Sequence, residues 1–360
     1  MKRIFALVMA VFMMVSFFAV SEADSAEEMY ATALSMVGGD EEGNKAALAL
    51  FEKAAGLGHA GAQTEAGRMY YAGIGAQQDL MKAYGFLHKS AMQGDAEGQY
   101  LLSLLLIEDH PLLGDWESSE SWLRKAAGQD HTLAQVRLGR LLFEEYEPAL
   151  PSVGEEAFGL FMRASEKGNL EAQAFVGICY NYGVGVKKNE KEAYKWIVSA
   201  AEQGQVNAIF ELAYFYERGI VVKRDMDEAI RLYMLAAEQG FPAAQYTIGY
   251  FYYNGEGFKK NYVKAFEYFL KSAENGYPDG MLTVGWCYAT GEGTILDGEK
   301  ALEWFMYAAM YDVEGAAYNV GLCYLEGFGT EKDKKEAIAW LEYAAEQGDK
   351  DAIELLDELR

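Results

Sequence analysis

The sequence predicts an all-α protein that is built from repeated helix-turn-helix units. Three observations support this prediction: a constant spacing of small-residue motifs, a glycine-tyrosine-glycine pattern in most units, and a helix-capping residue at a fixed place. A pair of small residues followed by glycine recurs every 36 residues, with one interval of 38. A fixed period of about 20–50 residues is typical of solenoids, whose units bury their apolar faces only against neighbouring units.

The repeated motif is a small-residue pair, a short spacer and a residue that ends a helix. Its copies are Ala54-Ala55 to Gly58, Ser90-Ala91 to Gly94, Ala200-Ala201 to Gly204, Ala236-Ala237 to Gly240, Ser272-Ala273 to Gly276 and Ala344-Ala345 to Gly348. Gly168 closes a further unit, and Asp130 and Asp312 take the glycine position in two others. We therefore expect one continuous array of units.

The first helix of a unit is indicated by the pattern Gly-x-x-Tyr-x-x-Gly. The pattern occurs at Gly67/Tyr70/Gly73, Gly177/Tyr180/Gly183, Gly249/Tyr252/Gly255, Gly285/Tyr288/Gly291 and Gly321/Tyr324/Gly327. Glycine and tyrosine three residues apart share a helix face, and the glycine permits close approach of a second helix. The last glycine is expected to end the helix in the left-handed conformation. Another glycine follows two residues later, and we interpret this recurring Gly-x-Gly as a turn, because no strand precedes it as in a nucleotide-binding loop.

The second helix of a unit is expected to begin after an acidic or amide N-cap residue. The candidate caps are Asp79, Asn189, Asp225, Asn261, Asp297 and Asp333. Three of the units have glutamate at the third helical position (Glu192, Glu228 and Glu336), which predicts a capping box.

Together these motifs resemble the Sel1-like repeat, a relative of the tetratricopeptide repeat (TPR). The clearest copy combines Gly183-Val184-Gly185-Val186, Lys195-Trp196 and Ala200-Ala201-Glu202-Gln203-Gly204. The resemblance covers residues 44–348 and implies a right-handed α-solenoid of about nine helix-turn-helix repeats. An N-terminal helix and linker at residues 24–43 precede this array, and a capping helix at residues 349–360 is expected to close it.

Residues 1–23 have the features of a signal peptide. Lys2 and Arg3 precede an apolar run from Ile4 to Val20, which is followed by the small-x-small site Ser21-Glu22-Ala23. We expect cleavage after Ala23 and export to a periplasm or the medium, with no membrane span in the mature chain. The apolar run also reaches the lower length limit of a membrane-spanning helix, so an uncleaved anchor is the alternative.

Two stretches depart from the repeat pattern. Residues 96–131 lack the glycine-rich end of the first helix, and the next unit contains the segment Glu144-Glu145-Tyr146-Glu147-Pro148-Ala149-Leu150-Pro151. A diverged loop explains both departures. The alternative is a bend or hinge near residues 144–153.

The charge balance excludes one class of partner. The chain has 55 acidic and 31 basic residues, and its formal net charge is −24. Nucleic-acid binding requires a stripe of lysine and arginine, so this function is excluded, and an anionic membrane surface is disfavoured for the same reason. The 51% content of apolar residues is typical of a folded chain.

No constellation of residues predicts catalysis, a cofactor or a metal site. Cys179, Cys287 and Cys323 occupy the same place in different units, so we expect buried free thiols rather than a disulfide. His59 and His131 share a repeat position two units apart, which is too far for one metal ion.

The candidate binding surface lies on the first helices, because the resemblance implies that these helices line the concave wall. Measured at about 100° per residue from the repeat glycine, the tyrosine at +3 lies at about 300°, in the seam between helices. Positions −3, +1 and +4 lie at about 60°, 100° and 40°, and are expected to face the groove. The residues at these positions are Phe210, Tyr246, Leu282 and Tyr318 at −3; Tyr214, Tyr250, Trp286, Arg68 and Arg140 at +1; and Tyr71, Asn181 and Tyr253 at +4.

The sequence therefore predicts an exported, non-catalytic scaffold or adaptor that binds a protein or peptide in this groove. Tyrosine, tryptophan and arginine are common interface hot spots, and the two arginines are suited to an acidic segment. The alternative for the rings is packing against adjacent helices. Two other functions stay open: a periplasmic penicillin-binding or β-lactamase-like activity, reported for cysteine-rich members of the family, and a regulatory inhibitor of an envelope sensor or secretion component. The cysteine pair that those members carry in each repeat is absent from this sequence.

Overall fold

A computed structural model describes residues 25–107, 116–144, 146 and 150–359. Within these ranges the chain forms 19 helices and no strand, which confirms the predicted all-α class of paired helices. The expected signal peptide and parts of the two departing stretches, at residues 108–115, 145 and 147–149, lie outside the described residues. No helix in the described ranges has both the length and the apolar character needed to cross a bilayer.

The helices divide between two compact units, and the described part of unit 1 lies in residues 25–172 and 184–187. Its helices are α1 (25–36), α2 (Glu41–Gly56), α3 (Ala60–Ala72), α4 (Leu80–Met92), α5 (Ala96–Ile107), α6 (Trp116–Gly128), α7 (Thr132–Glu144) and α8 (Pro151–Glu166). Odd-numbered helices are the first helices of their repeats, and even-numbered helices are the second.

Unit 2 comprises Gln173–Gly183 and Lys188–Arg360. Its helices are most of α9 (Leu170–Tyr182), α10 (Glu190–Glu202), α11 (Val206–Arg218), α12 (Met226–Glu238), α13 (Pro242–Asn254), α14 (Tyr262–Glu274), α15 (Pro278–Thr290), α16 (Gly298–Met310), α17 (Ala316–Glu326), α18 (Lys334–Glu346) and α19 (Lys350–Leu359). The described residues thus contain nine helix pairs, of the predicted period, and a closing helix.

The repeat glycine brings the two helices of each pair together. A Cβ atom at Gly249 would lie 2.6 Å from Cδ1 of Phe269, and one at Gly67 would lie 2.6 Å from Cγ of Leu87. The same contact joins Gly177 to Ile197, Gly285 to Phe305 and Gly321 to Leu341. In each case the partner is 20 residues later in the sequence, on the second helix, so the predicted close approach is confirmed.

The turn between paired helices is held by the N-cap residue. All six predicted caps accept a backbone N–H bond from the first helical turn, as Asp225 does from Glu228. The backbone N–H of each cap donates to the carbonyl of the first-helix residue nine positions earlier, as Asp225 does to Tyr216 at 2.9 Å. One half of the predicted capping box is confirmed, because the N–H groups of Glu192, Glu228 and Glu336 donate to the cap side chains. The reciprocal half was wrong: the cap N–H is already bonded to the first helix, and the Glu228 side chain pairs with Arg231 instead.

Left-handed residues end the helices where the sequence places glycine. Gly73, Gly255, Gly291 and Gly327 have φ between 69° and 80° at the ends of first helices. Asp130 and Asp312, which stand in for glycine after second helices, adopt the same conformation, with φ of 66° and 53°. Short polar side chains tolerate this region better than others, which explains the exchange.

Buried glutamines link successive repeats through contacts that the repeat motifs do not indicate. In unit 1, Nε2 of Gln99 donates to the carbonyl of Ala91 at 3.1 Å, and its Oε1 accepts from Gln129 at 2.8 Å. Unit 2 repeats the arrangement at Gln245, which donates to Ala237 and accepts from Asn275. Each amide thereby satisfies buried polar groups of neighbouring second helices.

Candidate partner-binding surface

The predicted groove residues differ widely in exposure. Tyr250 and Trp286, at position +1 of α13 and α15, are each 48% exposed. Arg140 is exposed at the same position of α7. The remaining predicted residues that reach solvent are half-buried: Arg68, Tyr71, Phe210, Tyr214, Tyr246, Tyr253, Leu282 and Tyr318.

Four of the predicted aromatic residues meet around one cavity in unit 2. Tyr246, Tyr250 and Tyr253 of α13 face Trp286 of α15 across a pocket of about 370 Å³, which we call the aromatic pocket. Its remaining lining residues are Phe269, Thr283, Cys287, Thr290 and Glu292. Tyr246 and Trp286 are 40 residues apart in the sequence, and the structure brings them together because their helices are successive first helices.

The rings of the aromatic pocket are fixed from behind by second-helix residues. Tyr246 lies 5.4 Å from the Phe269 ring, and Trp286 lies 5.8 Å from the Phe305 ring in an edge-on arrangement at 76°. These two phenylalanines are the residues that pack on the repeat glycines. The rings of Tyr246 and Trp286 are thus packed against buried phenylalanines, while Tyr250 and Trp286 keep nearly half of their surface accessible to a ligand.

The aromatic pocket has an acidic edge. The hydroxyl of Tyr253 donates to Oε2 of Glu292 at 2.8 Å, and this bond raises the pKa of Tyr253 to about 12. Glu292 is the one charged residue among the nine that line the pocket. The geometry therefore offers apolar faces next to a carboxylate.

Cys287 is the one thiol in the pocket lining. Burial, with a further contribution from the charge of Glu292, raises the pKa of this thiol to about 11. Burial likewise raises the pKa of Cys179 to about 12 and that of Cys323, together with Glu326, to about 11. All three thiols are free and buried, as predicted, and at neutral pH they stay protonated and weakly nucleophilic.

The two predicted groove arginines already have partners in unit 1. Nη2 of Arg68 donates to Oε1 of Glu97 at 2.6 Å, and Nε lies 3.3 Å from Glu65. Arg140 donates to Glu171 at 3.2 Å. Their charges are therefore compensated within the unit, which weakens the expectation that they hold an acidic segment.

Unit 1 has its own cavity on the first helices. A pocket of about 270 Å³ is lined by Tyr100, Leu133, Val136, Arg137, Arg140, Leu141, Glu144 and Glu171. We call it the arginine pocket. Nε of Arg137 is buried there without a hydrogen-bond partner.

The histidines at the shared repeat position have a structural role. Nδ1 of His59 accepts from the N–H of Ala62 at 3.0 Å, and Nδ1 of His131 accepts from Ala134 at 3.1 Å, so each ring caps a first helix. The other ring nitrogen of His131 lies 2.6 Å from Oε2 of Glu97. No group of three or more histidine, cysteine or acidic side chains in the described ranges is placed to hold a metal ion.

One predicted groove residue is placed differently, and one groove position was missed. Asn181 is only 3% exposed, so the expectation that it faces the groove is wrong. Position +4 lies at the margin of the wall, where a long tyrosine such as Tyr253 reaches the pocket and a short asparagine does not. Position −2 lines both cavities, through Arg137 and Thr283. The direction opposite the seam lies at about 120°. Position −2, at about 160°, is closer to this direction than position +4, at about 40°. The helical angle therefore indicates −2 as a groove position, and it could have been found from the sequence.

Comparison with known proteins agrees with the repeat structure. The family model described as Sel1 repeat matches residues 29–59, 60–95, 132–169, 170–205, 206–241, 242–277, 278–310 and 315–349. The α5–α6 pair, which lacks the glycine-rich helix end, is outside these matches.

Two solved structures are similar over most of the chain. The protein c5321, a protective antigen of uropathogenic Escherichia coli with an SLR fold, is 28% identical with a TM-score of 0.54, covering 93% of this chain and 72% of that one. A Sel1 repeat protein from Oxalobacter formigenes is 26% identical with a TM-score of 0.52, covering 96% of this chain and 90% of that one. The chain belongs to the Sel1 repeat family, whose members are typically protein-interaction scaffolds and generally non-catalytic.

Proposed function

We propose that this chain is an exported, non-catalytic adaptor that binds a protein or peptide partner on the first helices of unit 2, with the aromatic pocket at the centre of the contact. The observation that carries the proposal is the pair Tyr250 and Trp286, which expose 48% of their surface on adjacent helices around a cavity of about 370 Å³. Exposed aromatic rings contribute a large contact area to an interface, and Trp286 is also held from behind by Phe305.

The chemistry of the pocket favours binding over catalysis. Its thiol, Cys287, is protonated at neutral pH, and its aliphatic hydroxyl groups belong to Thr283 and Thr290, which donate to the carbonyls of Asp279 and Trp286 on their own helix. None of the nine lining residues is a histidine or lysine that would activate a nucleophile. This arrangement gives no support to a hydrolase or penicillin-binding reaction.

Random peptides displayed on phage test the proposed surface. Binders are selected on residues 24–360, and their affinities are then measured for a Tyr250→Ala/Trp286→Ala variant. We expect a loss of tenfold or more, because two central rings are removed. The matched control is Tyr307→Ala/Tyr311→Ala, which removes two exposed rings, 44% and 59% accessible, at the end of second helix α16. Peptides that bind the two variants equally well would contradict the proposal.

The export part of the proposal has a separate test. Lys2, Arg3 and the apolar run that follows support a secretion signal. Full-length protein is expressed in a Gram-negative host, and the periplasmic fraction is subjected to N-terminal sequencing. We expect a mature chain that begins at Asp24. An unprocessed chain in the membrane fraction would support the anchor, and one in the cytoplasm would contradict export.

A further inference from the structure

Glu211, on first helix α11 of unit 2, is an ionisable side chain buried without a sufficient partner. It is 9% exposed, and its Oε2 atom is buried with no hydrogen-bond partner. A buried carboxylate oxygen that makes no hydrogen bond is costly, so native structures normally provide a donor for it. The missing hydrogen bond of Glu211 therefore requires an explanation.

The surroundings of Glu211 are aromatic. Burial raises the pKa of Tyr182 of α9 and that of Tyr233 of α12, and the charge of Glu211 contributes to both shifts. Tyr214 lies three residues after Glu211 on α11, so the two side chains share a helix face. Tyr182 is 55% exposed and Tyr214 is half-buried, whereas Tyr233 is buried and donates its hydroxyl to Glu217 at 2.8 Å. Two rings with accessible surface therefore stand near a carboxylate that lacks a donor.

The nearest basic group on the same helix is already engaged. The guanidinium carbon of Arg218 lies 5.6 Å from the centre of the Tyr214 ring, and its Nε lies 3.6 Å from Glu217. Burial raises the pKa of Glu211 to about 7, which agrees with the absence of a compensating cation.

The repeat position of Glu211 places it on the binding wall. It stands at −2, the position at which Thr283 lines the aromatic pocket and Arg137 lines the arginine pocket. In unit 2, α11 belongs to the same series of first helices as α13 and α15, which carry the aromatic pocket. Glu211 is therefore on the helix face that the proposed partner would contact.

We propose that Glu211, together with Tyr182 and Tyr214, forms a subsite for an arginine or lysine side chain of the partner polypeptide. A cation supplies the donor that Oε2 lacks, and the tyrosine faces add cation–π attraction. The net charge of −24 and the acidic edge of the aromatic pocket favour a basic segment in the same way. The polypeptide nature of the ligand rests on the proposed function, whereas the cation specificity does not.

A small probe tests the subsite without the aromatic pocket. N-acetyl-arginine amide and its neutral isostere N-acetyl-citrulline amide are titrated at constant ionic strength, with the melting temperature and tyrosine fluorescence as readouts. We expect the arginine compound to raise the melting temperature of the wild type and of the Glu238→Gln control, which removes an exposed charge from unit 2. In Glu211→Gln the apparent affinity should fall at least tenfold, and the citrulline compound should have no effect on any variant.

Two outcomes separate the subsite from a structural role and from the proposed function. In the absence of ligand, the melting temperature of Glu211→Gln should be no lower than that of the wild type, because the substitution removes an unpartnered buried charge. A clear decrease would assign Glu211 a structural role and overturn the proposal. An equal response of Glu211→Gln and wild type to the arginine compound would also overturn it. Tyr250→Ala/Trp286→Ala should keep the arginine response, so failure of the peptide selection leaves this result interpretable.

Discussion

The first helices of the two units differ in chemistry at the same repeat positions. In unit 1, position +1 carries Arg68 and Arg140, and both are paired with glutamates of the next first helix. In unit 2, position +1 carries Tyr250 and Trp286, whose outer faces are uncovered. One surface satisfies its own charges, and the other leaves apolar area for a partner.

Position −2 gives the same comparison at a single site. Each side chain has one buried atom without a hydrogen-bond partner, Nε in Arg137 and Oε2 in Glu211. Arg137 of unit 1 shares its pocket with two residues of opposite charge, Glu144 and Glu171, whereas Glu211 of unit 2 has tyrosines near it. Both residues occupy the same repeat position on a first helix, so the side chains and their neighbours decide whether the position stabilises the fold or remains available. This difference places the binding proposal in unit 2.

The largest expected effect concerns the carboxylate of Glu211. Burial raises its pKa to about 7, above the value near 4.5 of an exposed glutamate. Because the folded pKa is the higher one, the protonated group favours folding at low pH, and this contribution is lost as the pH rises through 7. Between pH 4.5 and 8 the free energy of unfolding of the wild type should fall by about 3 kcal/mol relative to Glu211→Gln.

Urea unfolding at several pH values measures this difference, with Glu238→Gln as the exposed control. Parallel stability curves for the wild type and Glu211→Gln would show that Glu211 is solvated or paired. The contrast between the two −2 positions would then disappear.

The sequence predicts the fold because each contact recurs with the period. Gly249 and Phe269 meet for the same reason as Gly67 and Leu87, so one spacing in the sequence reports several packing contacts. The orientation of Tyr250 and Trp286 also follows from the helical angle alone. These features depend on local geometry that every repeat shares.

The ion pairs and the unpartnered carboxylate are not predictable in this way. Arg68 pairs with Glu97, 29 residues later, and Arg140 with Glu171, 31 residues later, and no motif marks these partners. Asn181 is buried because its side chain is short, although its repeat position is the same as that of Tyr253. The ion-pair partners and the burial of Asn181 depend on side-chain length and on the residues of the neighbouring repeat. The helical angle of a position gives no information about either.

The close contact at the repeat glycine should contribute to stability in both units, but to a different extent. Gly249→Ala places a Cβ 2.6 Å from the rigid ring of Phe269, and Gly67→Ala places one 2.6 Å from Leu87, which has other rotamers. Both should lower the free energy of unfolding, by about 1–3 kcal/mol, with the larger loss for Gly249→Ala. Gly249→Ala should also weaken peptide binding, because Phe269 supports the aromatic pocket.

The matched control for this comparison is Gly85→Ala. Gly85 lies in the middle of α4 with no atom within 4 Å of the added Cβ, so the substitution should stabilise unit 1 by about 0.5–1 kcal/mol. Thermal and urea unfolding measure all three variants. If Gly249→Ala and Gly85→Ala changed stability in the same direction, close packing at the repeat glycine would not hold the helix pairs together.

The smallest effect is expected for Glu97 of unit 1, which is bonded to both His131 and Arg68. The hydrogen bond to His131, with that to Arg68, holds the pKa of Glu97 below its ordinary value. Because the folded pKa is the lower one, the contribution is present at neutral pH and is lost as the pH falls below about 4.5. Glu97→Gln should therefore lower the free energy of unfolding by about 1 kcal/mol at pH 7, since the group is half-buried, and by less at pH 3.

The control is Glu41→Gln, which removes an exposed pair with Lys45 and should leave the unfolding midpoint unchanged. Equal midpoints for Glu97→Gln and the wild type at pH 7 would show that the paired charges of unit 1 contribute little, and that its first helices are as free to bind a partner as those of unit 2.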